Sequence, residues 1–271
     1  DVAEIGVHHF PDGESRSDLP ATLPARVIIY RSLDKANQKL IELILAAATA
    51  RDLGASRVTL VAPYLCYMRQ DTAFQPGEAV SQRIIGHLLA GYFDELLTVD
   101  PHLHRVNRIE DAVPVARARA LSATDAMAAY LAGRIDNPML LGPDEESEQW
   151  VAALAQRNGL EFHVARKQRA GDSEVRITLP DASFKGRQVV LVDDIASTGH
   201  TLAVTCRQLA RHEPAGITVM VTHALFVGDA VQRILTAGAS RVWSCDSIRH
   251  ATNRITLAET LARALASPGQ C

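Results

Sequence analysis

Short apolar runs alternate with stretches of helical periodicity along nearly the whole chain of 271 residues. Apolar runs such as residues 27–30, 57–62 and 189–192 predict buried strands, and segments such as 35–53 and 201–210 predict amphipathic helices. Strands that alternate with helices in this way are typical of βαβ units, in which consecutive strands pair in parallel. The pattern therefore predicts an α/β protein with mainly parallel sheets flanked by helices.

The rhythm of strands and helices runs through the chain twice, although the two halves show no close sequence repeat. This predicts two similar α/β domains with a boundary near residues 119–122. The first would span residues 1–121 and the second residues 122–256. The last helical stretch, within residues 257–271, is apolar on one face, and we expect it to pack back onto the first domain.

Composition narrows the class of protein without fixing its function. A hydrophobic content of 47% and a charged content of 22% are typical of a chain with a sizeable core. The formal net charge of −3 argues against a nucleic-acid binder, and no apolar run approaches the roughly 18–20 residues that cross a bilayer. Four cysteines without paired spacing indicate neither a disulfide framework nor a zinc site, so we expect a reduced, cytoplasmic setting.

The most informative stretch is VVLVDDIASTGHT, residues 189–201. A buried strand runs into Asp193 and Asp194, and a loop of small residues then leads into a helix. The backbone N–H groups at such a helix start favour a bound phosphate. Two carboxylates would repel a phosphate, so they suit the hydroxyls of a sugar, directly or through a divalent cation. The stretch therefore predicts a site for a phosphorylated sugar.

Four further segments carry polar or charged side chains: FPDGE at 10–14, YLCYMRQDTAFQPG at 64–77, VDPHLH at 99–104 and ARKQRAG at 165–171. Each has a plain structural interpretation by itself, as a surface turn, an exposed loop, a solvated histidine pair and a mobile charged loop. Loops after the carboxyl ends of parallel strands are nevertheless where such folds bind ligands. These segments are therefore candidate binding elements as well.

The order of these segments resembles that of phosphoribosyl pyrophosphate synthetases: FPDGE, then YxxYxRQD with a downstream GE, then VDxH, a KxR loop and VDDIxSTGxT. The likeness extends over residues 6–261, and residues 189–201 alone also resemble the ribose-5-phosphate loop of phosphoribosyltransferases. Members of the synthetase family have a strand and a helix before FPDGE. We therefore expect about 20 or more residues, the length of such a pair, to precede Asp1.

The resemblance implies that the protein transfers the diphosphoryl group of ATP to the anomeric hydroxyl of ribose 5-phosphate, giving phosphoribosyl pyrophosphate and AMP with Mg²⁺ as cofactor. In that family the FPDGE segment comes from a neighbouring subunit, which implies a homodimer or a larger homo-oligomer. The matching positions imply catalytic roles for Lys167 and Arg169; ATP binding by Phe10, Asp12, Glu14, Arg69 and Gln70; ribose 5-phosphate binding by Asp193, Asp194, Ser197, Thr198, Gly199, His200 and Thr201; and metal binding by His102 and Asp144.

Three departures from the family pattern bear on this assignment. Thr72 stands where members often have an arginine, His200 stands where they have a small residue, and residues 145–149 are acidic where many have a glycine-containing turn. Two other functions stay open. A phosphoribosyltransferase would need only the acidic strand and its loop. A non-catalytic homologue would regulate a true synthetase by assembling with it, although the presence of both Lys167 and Arg169 argues against that function.

Overall fold

A computed structural model describes residues 1–103, 105–170 and 174–266. The chain divides into two compact units, residues 1–121 and 122–271. The α/β class with parallel sheets flanked by helices is confirmed.

The first unit contains a four-stranded parallel sheet with the order β3-β4-β5-β6, preceded by an antiparallel hairpin of β1 and β2. Aliphatic side chains of β4 and β5 form its core with the inner face of α1, where Leu43 and Ala47 are buried. Its elements are β1 (Gly6–His9), β2 (Ser15–Asp18), β3 (Arg26–Tyr30), α1 (Ala36–Asp52), β4 (Arg57–Ala62), α2 (Ser81–Ala90), β5 (Glu95–Val99), α3 (Ile109–Ala112) and β6 (Arg117–Leu121).

Strand β6 was not expected from the sequence. Residues 117–121 pair with β5 as the fourth strand of the sheet, and the first unit ends directly after it, at residue 121. This end lies within the expected boundary region of residues 119–122. The sequence of β6, RARAL, alternates arginine with alanine instead of forming an apolar run. An edge strand with a solvated face needs no continuous apolar run, so its signal was weak.

The second unit contains a six-stranded parallel sheet with the order β14-β13-β12-β11-β7-β8. Its central strands are almost entirely apolar, as expected for a sheet covered on both faces. Its elements are α4 (Thr124–Leu131), β7 (Met139–Gly142), a short 3₁₀ turn (Glu145–Ser147), α5 (Glu148–Asn158), β8 (Phe162–Val164), β9 (Arg166–Ala170), β10 (Glu174–Thr178), β11 (Gln188–Ala196), α6 (His200–Ala210), β12 (Gly216–Ala224), α7 (Ala230–Thr236), β13 (Arg241–Cys245), β14 (Asn253–Ile255) and α8 (Ala258–Ala266).

Helix α8 falls in the second unit, not in the first, where we expected it. The chain leading into it is tied to the end of β13, because the backbone N–H of Leu257 donates to the Asp246 carboxylate at 2.8 Å. The N–H of Asp246 in turn donates to the carbonyl of Ile255 at 2.9 Å. These bonds fix the start of α8 beside the sheet of its own unit.

The basic segment that we expected to be an irregular loop forms a second hairpin. Strand β9 pairs antiparallel with β10, with Lys167 opposite Ile177. The side chain of Ile177 is buried, so this hairpin has an apolar anchor that lies outside the basic run itself.

Candidate functional site

The strand order of the second unit defines where a ligand would bind. From β7 the chain crosses to β8 on one side, and β11 then returns to the other side of β7. In open parallel sheets the crevice at such a reversal, outside the carboxyl ends of the strands, is the usual binding position. The segments that follow β7 and β11 contain Asp144 and residues 197–201, so the predicted ribose site lies at this point.

The acidic pair, Asp193 and Asp194, lies within β11 and not in a loop after it. The strand continues to Ala196, and Asp193 is paired in register with Val221 of β12. Asp194 is 2% exposed, and its N–H donates to the Asp193 carboxylate at 3.0 Å. Two carboxylates thus adjoin at the end of a buried strand.

Burial raises the pKa of Asp193 well above the ordinary value of an aspartate, and the negative charges of Asp194 and Asp144 raise it further. Because full ionisation of this cluster is unfavourable, a bound cation or hydroxyl donors would stabilise its carboxylates strongly. This electrostatic state agrees with a site that takes sugar hydroxyls or a metal-bound substrate.

Asp144 is held by the chain that turns out of β7. The Ser147 hydroxyl donates to the Asp144 carbonyl at 2.5 Å, and Gly142 leaves room for it, because a Cβ at Gly142 would lie 2.3 Å from that oxygen. The carboxylate of Asp144 accepts a hydrogen bond from Lys167 Nζ at 3.0 Å. Their side chains are only 10% and 20% exposed, so the ion pair is largely shielded from water. The structure therefore brings a predicted catalytic residue to the acidic cluster.

Residues 197–201, here called the phosphate loop, connect β11 to α6. Gly199 has φ +67°, and a Cβ there would lie 3.0 Å from the Ala230 carbonyl oxygen, so glycine is required by both conformation and packing. Helix α6 starts at His200, and its first turn offers backbone N–H groups that have no partner within the helix. Thr198 and His200 are exposed. Such a loop can hold an anion through backbone donors.

In the first unit, Arg69 and Gln70 lie on the loop after β4. The loop is anchored by the buried side chains of Leu65 and Met68, and it is less polar than its sequence suggested. Gln70 accepts a hydrogen bond from the Ser81 hydroxyl at 2.7 Å, whereas Arg69 is exposed. Arg69 has no hydrogen-bond or ion-pair partner among the described residues, so its guanidinium is available to a ligand.

Phe10, Asp12 and Glu14 lie on the turn that joins β1 to β2. The turn is closed by a hydrogen bond from the N–H of Phe10 to the carbonyl of Glu14 at 2.9 Å, and Gly13 adopts φ +94°. The Asp12 carboxylate accepts from the N–H of Glu14 at 3.2 Å. The three side chains are exposed on a well-formed turn.

The two predicted metal-binding residues do not gather a protein ligand set. His102 is partly buried after β5 in the first unit, whereas Asp144 is paired with Lys167 in the second. Among the described residues, no three His, Cys, Asp or Glu side chains form a group that could hold a metal ion. The neighbouring His104 lies outside the described residues. The metal role of both residues stays a prediction.

Sequence reasoning missed several side chains that hold these segments in place. Glu42 on α1 is buried. Its carboxylate pairs with Arg31 and lies 2.7 Å from the imidazole Nε2 of His9, which connects the β1–β2 hairpin to the helix. Asp71, next to Gln70, pairs with Arg105 at 2.6 Å. The signal for Glu42 was a carboxylate inside the apolar run LIELILAAA.

Two cavities of about 730 and 700 Å³ lie in the first unit, lined by residues 1–5 and parts of β3. None of the predicted site residues lines either cavity. No described helix is both long enough and apolar enough to cross a membrane.

Comparisons with known proteins agree with the class that this fold and site define, namely proteins with phosphoribosyltransferase-type α/β domains. A crystal structure of phosphoribosylpyrophosphate synthetase from Mycobacterium smegmatis matches with a TM-score of 0.82, covering 99% of this chain and 92% of that chain. At 22% sequence identity this likeness establishes the fold.

The sequence comparisons are more specific. Residues 1–92 match the N-terminal domain of ribose phosphate pyrophosphokinase, and residues 116–249 match the phosphoribosyl transferase domain. Ribose-phosphate pyrophosphokinase of Methanopyrus kandleri is 31% identical over 98% of this chain and 91% of its own length. That of Sulfolobus acidocaldarius is 33% identical over 94% of this chain and 89% of its own length. The chain belongs to the ribose-phosphate pyrophosphokinase family.

Proposed function

We propose that this protein transfers the diphosphoryl group of ATP to the anomeric hydroxyl of ribose 5-phosphate, giving phosphoribosyl pyrophosphate and AMP. The observation that carries the proposal is the acidic pair of β11, of which Asp194 is buried and Asp193 half-buried. The pair leads directly into the phosphate loop at the reversal of strand order. The match of residues 1–92 to the N-terminal domain of ribose phosphate pyrophosphokinase supports it further, since a phosphoribosyltransferase would not need that domain.

The second unit supplies the groups that recognise the sugar phosphate. Backbone N–H groups of the phosphate loop and the hydroxyls of Ser197, Thr198 and Thr201 donate to the 5-phosphate. His200 is exposed at the start of α6, next to the loop that would hold that phosphate. Asp193 and Asp194 accept hydrogen bonds from the ribose hydroxyls. The sugar is thereby held with its anomeric hydroxyl oriented for attack on the β-phosphorus, and positioning of this kind supplies much of the rate in phosphoryl transfer.

Lys167 and Arg169 act on the group that is transferred. Both belong to β9, and Lys167 forms an ion pair with Asp144. As negative charge develops on the transferring oxygens, the ammonium and guanidinium donate to them and stabilise the transition state. Moving Lys167 from the carboxylate to the phosphoryl oxygens keeps its charge paired throughout.

The residues present suit a nucleotide-bound Mg²⁺ better than a metal held by the protein alone. Mg²⁺ binds to proteins through one or two carboxylates plus substrate phosphates and water, and the acidic pair with Asp144 offers such carboxylates. When bound, the ion neutralises charge on the phosphate oxygens. Asp144 would then contact the metal–nucleotide complex together with the acidic pair rather than form a cage, and the metal role of His102 stays a prediction.

The first unit supplies the nucleotide-binding residues. Arg69 and Gln70, together with Phe10, Asp12 and Glu14 of the hairpin turn, bind ATP. The exposure of the turn agrees with its donation to the site of a second copy of the chain, so the working protein is a homodimer or a larger homo-oligomer. We place it in the cytoplasm, where ATP and ribose 5-phosphate are available.

One assay separates the proposal from the two other functions. The protein is incubated with ATP, ribose 5-phosphate and Mg²⁺, and AMP is quantified against a sample without the sugar. Stoichiometric AMP and phosphoribosyl pyrophosphate support the proposal. A second mixture contains phosphoribosyl pyrophosphate, a nucleobase and Mg²⁺. Release of diphosphate in the second mixture, with no AMP formed from ATP and ribose 5-phosphate in the first, indicates a phosphoribosyltransferase. No turnover in either mixture, with stimulation of an added active synthetase, indicates a regulatory homologue.

A further inference from the structure

We propose that Arg233 of α7 is a positioning residue that aims the backbone N–H groups of the phosphate loop at the 5-phosphate. This inference rests on the proposed function, in which that loop holds ribose 5-phosphate. Arg233 is distant from the loop in sequence and belongs to no motif of the sequence analysis. Its Nη1 donates to the carbonyl oxygen of Thr198 at 2.9 Å.

That bond is the last of three. The carbonyl of Ala196 accepts from the N–H of Phe226 at 3.0 Å, and the carbonyl of Ser197 accepts from the N–H of Val227 at 3.0 Å. Three successive carbonyls, those of residues 196–198, are therefore held by donors of one segment, residues 226–233. The first two donors are backbone groups, and only the third is a side chain.

The fixed carbonyls determine where the neighbouring N–H groups point. In a planar trans peptide the N–H is directed opposite to the carbonyl of the same unit. The N–H groups of Ser197, Thr198 and Gly199 are therefore each directed away from the donor that holds the preceding carbonyl. Successive N–H groups presented in this way form an anion-binding concavity.

The peptide unit between Thr198 and Gly199 is the one whose orientation the backbone restricts least. Rotation of this unit would change φ of Gly199, and glycine permits several values of φ at little cost. A flipped peptide would present its carbonyl oxygen to the phosphate in place of the N–H, turning a donor into a repelling dipole. The Arg233 hydrogen bond opposes this flip.

Arg233 is itself fixed at the other end of its guanidinium. Its Nη2 donates to Asp229 Oδ1 at 2.7 Å, four residues earlier in the chain. The same region of the chain packs on Gly199 through the Ala230 carbonyl oxygen. The side chain thus connects α7 to the loop, because its Nη1 and Nη2 both donate to protein oxygens.

The alternative is that Arg233 only forms an ordinary surface ion pair with Asp229. The chain offers a matched control for this alternative. Arg263 of α8 pairs with Glu259 in the same i, i+4 arrangement, and both of their side chains are exposed. Arg263→Ala therefore removes an equivalent pair without touching the phosphate loop.

The test measures steady-state kinetics and thermal unfolding of Arg233→Ala, Arg233→Lys, Arg263→Ala and Thr201→Ala in the full chain. We expect Arg233→Ala to raise the KM for ribose 5-phosphate about tenfold, the effect of one lost hydrogen bond that orders a binding loop. Turnover at saturating sugar and the KM for ATP should stay within about twofold. Arg233→Lys should restore much of the affinity, since an ammonium also donates to the Thr198 carbonyl. Arg263→Ala should match the unmodified protein.

Each other outcome overturns a different statement. If Thr201→Ala raises the KM for ribose 5-phosphate and Arg233→Ala does not, the positioning role is wrong and the proposed function stands. If neither variant changes that KM, the phosphate-loop assignment itself fails. If Arg233→Ala lowers the unfolding temperature and turnover while both KM values stay constant, Arg233 is only structural.

Discussion

The two units organise their candidate site residues in different ways. In the second unit the six-stranded sheet and the strand pair of β9 and β10 bring Asp144, Lys167 and the acidic pair into one electrostatic cluster beside the phosphate loop. In the first unit four of the five proposed nucleotide-binding side chains lie exposed on a hairpin turn and on the loop after β4, and the fifth, Gln70, is half-buried. Backbone donors and buried carboxylates need a rigid frame to be placed, whereas exposed side chains can adapt to a ligand. The second unit is therefore where single substitutions should have the largest effects.

The largest effect is expected from Lys167→Ala. Loss of one preorganised donor to the transition state should lower turnover by about 10²–10³ and leave both KM values nearly unchanged. Arg169→Ala should behave in the same way. Lys185→Ala is the matched control, because Lys185 forms an exposed ion pair with Glu213. A large rise in either KM with unchanged turnover would make β9 a binding element and contradict its catalytic role.

The next effect is expected from the acidic pair. Asp193→Asn and Asp194→Asn each weaken hydrogen bonds that a charged group makes to ribose, which costs about 1.5–3 kcal/mol. The catalytic efficiency with ribose 5-phosphate should fall accordingly, with the fold intact. Asp125→Asn, in an exposed pair with Arg157, serves as the control. Near-native efficiency in both variants would show that the sugar site is wrongly assigned.

Asp193→Asn should at the same time stabilise the unliganded protein. The raised pKa of Asp193 means that its contribution to stability is complete below the ordinary value of about 3.9 and is lost as the pH rises through the raised value. An amide avoids this loss. Unfolding temperatures should therefore favour the variant at about pH 7.5, with a difference that shrinks toward about pH 4. A difference independent of pH would mean that repulsion within the cluster is not its cause.

A smaller effect is expected from Arg69→Ala in the first unit. Removing one exposed donor to the ATP phosphates should raise the KM for ATP about tenfold and leave turnover almost unchanged. Arg57→Ala is a suitable control, since Arg57 pairs with Glu95 at the opposite end of β4. An unaltered KM for ATP would remove Arg69 from the nucleotide site.

The smallest effect is expected from His200→Gly. The imidazole is exposed and the loop holds its anion through backbone donors, so activity should stay within about tenfold. Initial rates of AMP formation by His200→Gly and the unmodified protein, measured over a range of ribose 5-phosphate concentrations, would test this. A collapse of activity would mean that this chain uses His200 in a way that the family pattern does not suggest.

Much of this architecture was readable from apolar periodicity, because strands such as β4 and β11 are buried on both faces. The ordered motifs also marked the carboxylates and the phosphate loop. The alternating edge strand β6 was missed because its pairing with β5 joins segments about 22 residues apart. The strand pair of β9 and β10 was missed because β9 is charged and its apolar anchor, Ile177, lies outside the basic run. So was Arg233, whose contact with Thr198 depends on how α7 packs and leaves no local pattern in the sequence.

The most direct test of the division between the two units compares two variants under the same conditions. Thr201→Ala alters the phosphate loop, and Arg69→Ala alters the loop after β4. Both KM values are measured for each variant by following AMP formation. We predict that Thr201→Ala raises only the KM for ribose 5-phosphate and that Arg69→Ala raises only the KM for ATP. The reverse pattern, or an equal rise of both KM values in each variant, would contradict the assignment of sugar and nucleotide to separate units.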